Sequence, residues 1–307
     1  MRKRYMGNSR KIKITLKRIW RNLSPAYRTA LRVEEKMDRL LADLEMPSAT
    51  SVDLVGEVRR AVASAVEKQK WDSQTLTSNI NLNIACTALE IHETHKASFS
   101  QFYRCHTGRD VVIVATGPTM NLYTPIKGAI HIGVNAAFRN TRIPLDYYFT
   151  TDYEHHNEWF HELKEYDFIK FFGQYSTGEY RDRFQIPEEI IEENHGRRYF
   201  QAAPNEDIHL NIEYYPLMGF YSVVFQAIHF ALYTNPKRIY LVGCDCSSEG
   251  YFDGSNQISP NTAKWRQGYE KLKLFAEHFY PQTQIISVNP VGLKGLFRDT
   301  DSNMKEN

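Results

Sequence analysis

The spacing of apolar residues along the chain changes near residue 109. Before that point it is helical. Ile12, Leu16, Ile19 and Leu23 recur at steps of 4, 3 and 4, with Lys11, Lys13, Lys17, Arg18 and Arg21 between them. This predicts a basic amphipathic helix within residues 1–23. Ser24-Pro25 supplies a cap and a first-turn proline. Val33, Met37, Leu40, Leu41 and Leu44, then Val55, Val58, Val62 and Ala65, continue the helical period. Residues 24–105 are expected to form a helical arm, more mixed between 70 and 105, with too few heptads for a firm coiled coil.

After Arg109 short apolar runs alternate with longer helical stretches. Strands are predicted at 110–115, 129–134, 146–150, 168–173, 238–243 and 284–288. Helices are predicted at 155–166, 219–233 and 262–280. This order predicts an α/β domain over residues 106–307, a Rossmann-like, mostly parallel sheet flanked by helices, with ligand loops at the strand C-terminal ends. The run 174–215 is left as a lid or acceptor region.

Charge refines the picture of the N-terminus. The net charge of +2 is too small to argue for nucleic acid, but no acidic residue occurs from Met1 to Val33. The basic helix, with Trp20 on it, suits an anionic membrane surface contacted through residues 2–23. The competing reading packs that helix on its own domain or on a second copy in a homo-oligomer. No nucleic-acid partner is expected. Four cysteines (Cys86, Cys105, Cys244 and Cys246) show neither disulfide spacing nor a CxxC pair, and read as reduced thiols. With no apolar run of transmembrane length and no signal-peptide pattern, the expected location is cytoplasmic, peripheral at the inner membrane face.

The candidate chemistry begins at Asp110–Asn121. The β-branched run Val111, Val112, Ile113 and Val114 leads into Thr116-Gly117-Pro118-Thr119. A strand, a glycine turn and a proline at a helix start make a place to hold phosphate or nucleotide. NAD is disfavoured, because the turn has one glycine and the second strand ends in Gly133-Val134-Asn135 without an acidic residue. No P-loop, HExxH or paired-cysteine set occurs, so no metal site and no cofactor is expected. Asp299-Thr300-Asp301 imitates a metal-binding DxD but reads as a solvated tail. His229, inside an apolar run, reads as packed.

An ordered series of segments follows that turn: IGVNAAF (132–138), FTTDYEHH (149–156), MGFYSVVFQAIHFAL (218–232), IYLVGCDCSSEGYFDG (239–254) and VNPVGLKGLF (288–297). Over roughly residues 106–298 the chain resembles the bacterial CMP-sugar-dependent sialyltransferases and the related MptE-like domain family. The resemblance implies a GT-A-like variant of the Rossmann-like fold. It implies a metal-independent, inverting glycosyltransferase that moves a sugar from a nucleotide-activated donor, a CMP-sugar being favoured, to a glycan acceptor in cell-surface polysaccharide biosynthesis. By this resemblance Thr116, Gly117, Pro118 and Thr119 lie under the nucleotide, and Asn135 and Thr151 contact the nucleotide or sugar. Tyr221 and Ser222 open the long helix, Gly243, Asp245 and Ser247 end a strand, and Asn289-Pro290 closes over the base. Tyr251 resembles a tyrosine that binds the departing phosphate. The histidine these enzymes place before the penultimate helix is missing from Pro260–Arg266. The remaining candidates for the base are His155, His156, Asp152 and Asp253, and Lys264 or Arg266 could steady phosphate charge. Asp245 also reads as a structural cap, and His155 and His156 as exposed residues opening a helix. Two other readings stay open. One is an ATP- and Mg²⁺-dependent diphosphokinase using Asp152, Asp245 and Asp253; the other is a non-catalytic membrane-associated scaffold.

Overall fold

The computed structural model describes residues 73–151, 153–176, 185–202, 208–255 and 261–302. The expected basic helix at 1–23 and residues 24–72 of the expected arm lie outside them. The chain divides into Met1–Glu93 and Thr94–Asn307. The boundary falls within helix α1 (Ser73–Phe99), and the second unit is the α/β domain.

That unit contains one sheet of eight strands: β1 (Asp110–Val114), β2 (Ile130–Val134), β3 (Tyr147–Thr150), β4 (Ile169–Tyr175), β5 (Arg197–Gln201), β6 (Arg238–Val242), β7 (Gln284–Val288) and β8 (Arg298–Thr300). The order is β5-β4-β3-β2-β1-β6-β7-β8, and every pairing is parallel. The fold is thus α/β and Rossmann-like.

The continuous β-branched run of β1 has a simple cause. Val111 and Ile113 face one core with Phe225 and Ile228, while Val112 and Val114 face a second with Met120 and Tyr240. A strand covered on both faces loses the polar alternation of a half-exposed one. Each such side chain contributes about 1.5–3 kcal/mol by leaving water.

The remaining helices are α2 (Asn157–Glu162), α3 (Glu188–Glu193), α4 (Val224–Tyr233) and α5 (Thr262–Phe279). All ten residues of α4 are buried, because it joins a core built from the sheet and from Tyr269, Leu272 and Phe275 of α5. That is why its sequence is apolar apart from Gln226 and His229.

Four departures from the sequence reading have physical reasons. β5 was not expected, since it opens with Arg197-Arg198 and lies at the sheet edge. β8, at the other edge, is the segment expected to be a solvated tail. It is only three residues long and polar, and its Thr300 carbonyl accepts from the Asn289 amide at 2.8 Å. The expected helix at 155–166 is shorter, and ends in a 3₁₀ turn over Leu163–Glu165. The helix expected to start at 219 starts at Val224, because Phe220 and Tyr221 take left-handed backbone angles (φ 45° and 59°).

Candidate functional site

The sheet has β2 on one side of β1 and β6 on the other. The chain leaves β1 toward β2 and leaves β6 toward β7, so the switch point between β1 and β6 forms a crevice at the strand C-terminal ends, the usual ligand position of an open parallel sheet. Gly117 sits at its floor with φ −68°, so left-handed backbone is not the reason for glycine here. A Cβ at this position would lie 2.4 Å from Asp245 Oδ2 and 2.5 Å from the Gly243 carbonyl. Close packing requires the glycine.

The same packing occupies the turn's amides. The Gly117 N–H donates to the Gly243 carbonyl at 2.9 Å. The Thr119 N–H donates to Asp245 Oδ2 at 2.9 Å, and the Thr119 hydroxyl donates to Asp245 Oδ1. Asp245 thus caps the short 3₁₀ helix Pro118–Leu122, with Pro118 in its first turn. Burial pushes the Asp245 carboxyl above the usual carboxylate value, against the two Thr119 bonds, which lower it.

Three adjoining cavities open along this edge, and Thr116 and Tyr251 line all of them. The Tyr251 loop is tied to β1 by the Phe252 N–H, which donates to the Thr116 carbonyl at 2.9 Å. The smallest cavity, about 80 Å³, lies among Gly117, Ser222, Gly243, Asp245 and Ser247.

The second cavity, about 360 Å³, crosses the ends of β2 to β5 and the start of α4. Asn135, Thr151, Tyr175, Gln201, Tyr221, Ser222 and Asn261 supply its polar groups, and no charged side chain lines it among the described residues. Its amides are held in place from behind. Thr150 Oγ1 donates to Asn135 Oδ1 at 3.2 Å. Buried Gln226, on α4, donates to Gln201 Oε1 at 3.1 Å and to the Met218 carbonyl at 2.7 Å. With its oxygen engaged, Gln201 is oriented to use its NH₂ as a donor. Asn135 holds φ 50°, one of several left-handed residues at strand ends beside the crevice, with Gly243 (65°) and Cys246 (47°). Trp265 Nε1 donates to the Tyr221 carbonyl at 3.0 Å, fixing the loop before α4.

The third cavity, about 300 Å³, lies on the α2 side and is charged: Arg139, His156, Glu158 and Asp253 line it with Trp159 and Ser255. The His156 ring stacks on Trp159 at 3.9 Å with 1° between planes. Its Nδ1 lies 3.5 Å from Glu158 Oε1. Asp253 Oδ1 accepts from the Ser255 N–H at 2.9 Å and from its hydroxyl at 2.7 Å. These bonds hold the Asp253 carboxyl below the usual value. Arg139 donates through Nε to Glu162 at 3.0 Å.

Other candidates fall elsewhere. Asp152 lies outside the described residues. His155 is exposed and lines none of the three cavities. Asn289 exchanges hydrogen bonds with Ser302 through both ends of its amide, and neither it nor Pro290 reaches the cavities. Lys264 lies over the Tyr221 ring at 4.2 Å, and Arg266 donates to the Gly292 carbonyl. Burial pushes the Cys244 thiol up to about 12 and the Cys246 thiol up to about 11, so both are protonated at neutral pH and poor nucleophiles. Among the described residues no group of three or more His, Cys, Asp or Glu is placed to hold a metal ion, and no helix is long and apolar enough to cross a membrane.

Sequence reasoning missed Gln201, Tyr175, Arg139 and Glu158. Tyr175 and Gln201 end strands at the β4–β5 edge, where the lid was expected. Arg139 and Glu158 follow Asn135 and His156 closely, and that proximity was the available signal.

No known protein-family description matches the chain, and no curated protein does. Among solved structures, the sialyltransferase CstII from Campylobacter jejuni, in complex with the substrate analogue CMP-3FNeuAc, is similar at 12% sequence identity and a TM-score of 0.37. The match covers 62% of this chain and 85% of that one.

Proposed function

We propose that this protein is a glycosyltransferase that binds a nucleotide-activated sugar in the cavity across the ends of β2 to β5, beside the sheet switch point, and transfers the sugar to a hydroxyl acceptor. The supporting observation is that cavity: about 360 Å³, without charged side chains among its described lining residues, bordered by the start of α4 and by amides anchored from behind. A helix start and fixed amide donors stabilise phosphate oxygens and ribose by dipoles, which need no reorganisation when charge develops on the leaving phosphate. Thr116, Asn135, Thr151, Tyr221 and Ser222 form the donor wall. Tyr251, common to all three cavities, serves the departing phosphate. A single displacement needs a base for the acceptor proton, and the charged cavity supplies His156 and Asp253. The donor class we favour is a CMP-sugar, used without metal, and the acceptor a glycan precursor. Residues 2–23 would hold the enzyme to an anionic membrane surface, a claim that sedimentation with phosphatidylglycerol vesicles tests directly.

The primary test is thermal shift with CMP, CDP, UDP, GDP, ADP and ATP, each with and without Mg²⁺. Ligand at 100 times its dissociation constant stabilises the fold by about 2.7 kcal/mol. A metal-independent CMP shift supports the reading. A Mg²⁺-dependent shift with ATP alone overturns it in favour of a diphosphokinase, and no shift at all favours a scaffold.

A further inference from the structure

The charged cavity has a chemistry that the donor role does not use. Its walls combine two carboxylates, a stacked imidazole–indole pair and one guanidinium already bonded to Glu162. The two carboxylates of Glu158 and Asp253 face one guanidinium, Arg139, which disfavours a phosphate in this cavity. The Ser255 N–H and hydroxyl both donate to Asp253 Oδ1, and Oδ2 can accept from hydroxyl groups. The adjacent cavity, which has no charged side chain among its described lining residues, is built from hydroxyls and amides. The two meet at Thr116, Asn135 and Tyr251, which line both.

We infer that the cavity of Arg139, His156, Glu158 and Asp253 is the acceptor subsite, that it takes an uncharged polyhydroxyl ligand such as a glycan end, and that His156 is the base. The inference rests on the transferase reading above. Glu158 faces Nδ1 of His156 at 3.5 Å, which favours the tautomer with the proton on Nδ1 and the lone pair on Nε2. Trp159 holds the ring plane. In the transfer step an acceptor oxygen forms the new bond to the anomeric carbon. The bond from that carbon to the phosphate oxygen breaks, with its electron pair leaving on the phosphate. The hydroxyl proton passes to His156 Nε2. Arg139 and Asp253 also face this space, the first held by Glu162 and the second by Ser255. Asp253 orients the acceptor through its hydroxyls, and Glu158 acts as a positioning residue.

The test uses the full chain saturated with CMP, with saturation-transfer NMR on lactose and methyl β-galactoside as hydroxyl-rich probes. Wild type should transfer saturation to the sugar protons. Asp253→Asn should cut that transfer at least fivefold while the CMP thermal shift stays unchanged. His156→Gln should keep both signals and lower sugar transfer from the donor about 100-fold or more. Glu158→Gln should lower kcat with acceptor KM unchanged. Absence of saturation transfer in wild type that still binds CMP overturns the acceptor site and leaves the donor site standing. Full transfer activity in His156→Gln overturns the base assignment. Failure of wild type to bind any nucleotide overturns the transferase reading itself, and is seen separately in the thermal shift.

Discussion

The two large cavities at the strand ends are neighbours with opposite chemistry. One is walled by hydroxyls, amides and a helix start; the other by Arg139, His156, Glu158 and Asp253. The contrast separates two tasks that interfere when mixed. Holding a phosphate leaving group calls for fixed donors and no competing carboxylate. Taking a proton calls for a titratable group whose partner is a carboxylate. The supports differ in kind as well. The uncharged side is braced by buried groups, Gln226 and His229, whereas the charged side is braced by exposed ones, Glu162 and Ser255. Substitutions on the first side should therefore cost stability and donor binding together. On the second side they should cost turnover with little loss of stability.

The packing between the β1 and β6 loops, at the small cavity beside the two large ones, is the first test. Gly117→Ala places a methyl group against Asp245 and the Gly243 carbonyl, and overpacking of this kind costs about 1–3 kcal/mol. Urea unfolding should register that loss and nucleotide binding should fall with it. An unchanged midpoint with intact binding would show that the β1 and β6 loops part freely.

Acid should affect the uncharged side first. His229 is fully buried; its Nε2–H donates to the His209 carbonyl at 2.8 Å and its Nδ1 accepts from the Met218 N–H at 3.2 Å. Burial lowers its pKa to about 4. The unfolded chain therefore binds more protons between pH 6.5 and 4. The stabilisation is complete above pH 6.5 and is lost as pH falls toward 4, for a total of roughly 3 kcal/mol. Protonation also turns the Nδ1 acceptor into a donor facing the Met218 N–H, next to Gly219 of the cavity wall. Unfolding measured from pH 7 to 4 should show this slope in wild type and a flatter one in His229→Gln.

A smaller effect tests the cap. Asp245→Asn keeps an acceptor for one Thr119 bond and weakens the other, at a cost of about 0.5–1.5 kcal/mol. If Asp245 instead contacts ligand without supporting the loop, stability should stay put while nucleotide affinity drops.

The parts of this architecture legible in the sequence are those with a strong local pattern. β1 is buried on both faces, so its β-branched run stood out, and the glycine turn after it marked the crevice. α4 was legible for the same reason. The unreadable parts depend on distant partners. β5 and β8 are edge strands with arginine or aspartate in them, and only pairing with β4 and β7 makes them strands. Gly117 read as a flexible turn residue, yet its cause is Asp245, over a hundred residues away. Gln201 had no local signal, since its orientation is set by Gln226 on another element.

The division of the cleft into a donor side and an acceptor side meeting at Tyr251 is decided by calorimetric titration of CMP into Gln201→Ala and Asp253→Asn beside wild type. Gln201→Ala should bind about tenfold more weakly, the worth of one hydrogen bond of about 1.4 kcal/mol, and Asp253→Asn should keep wild-type affinity. The reverse order, or equal losses in both, would contradict the division of the cleft.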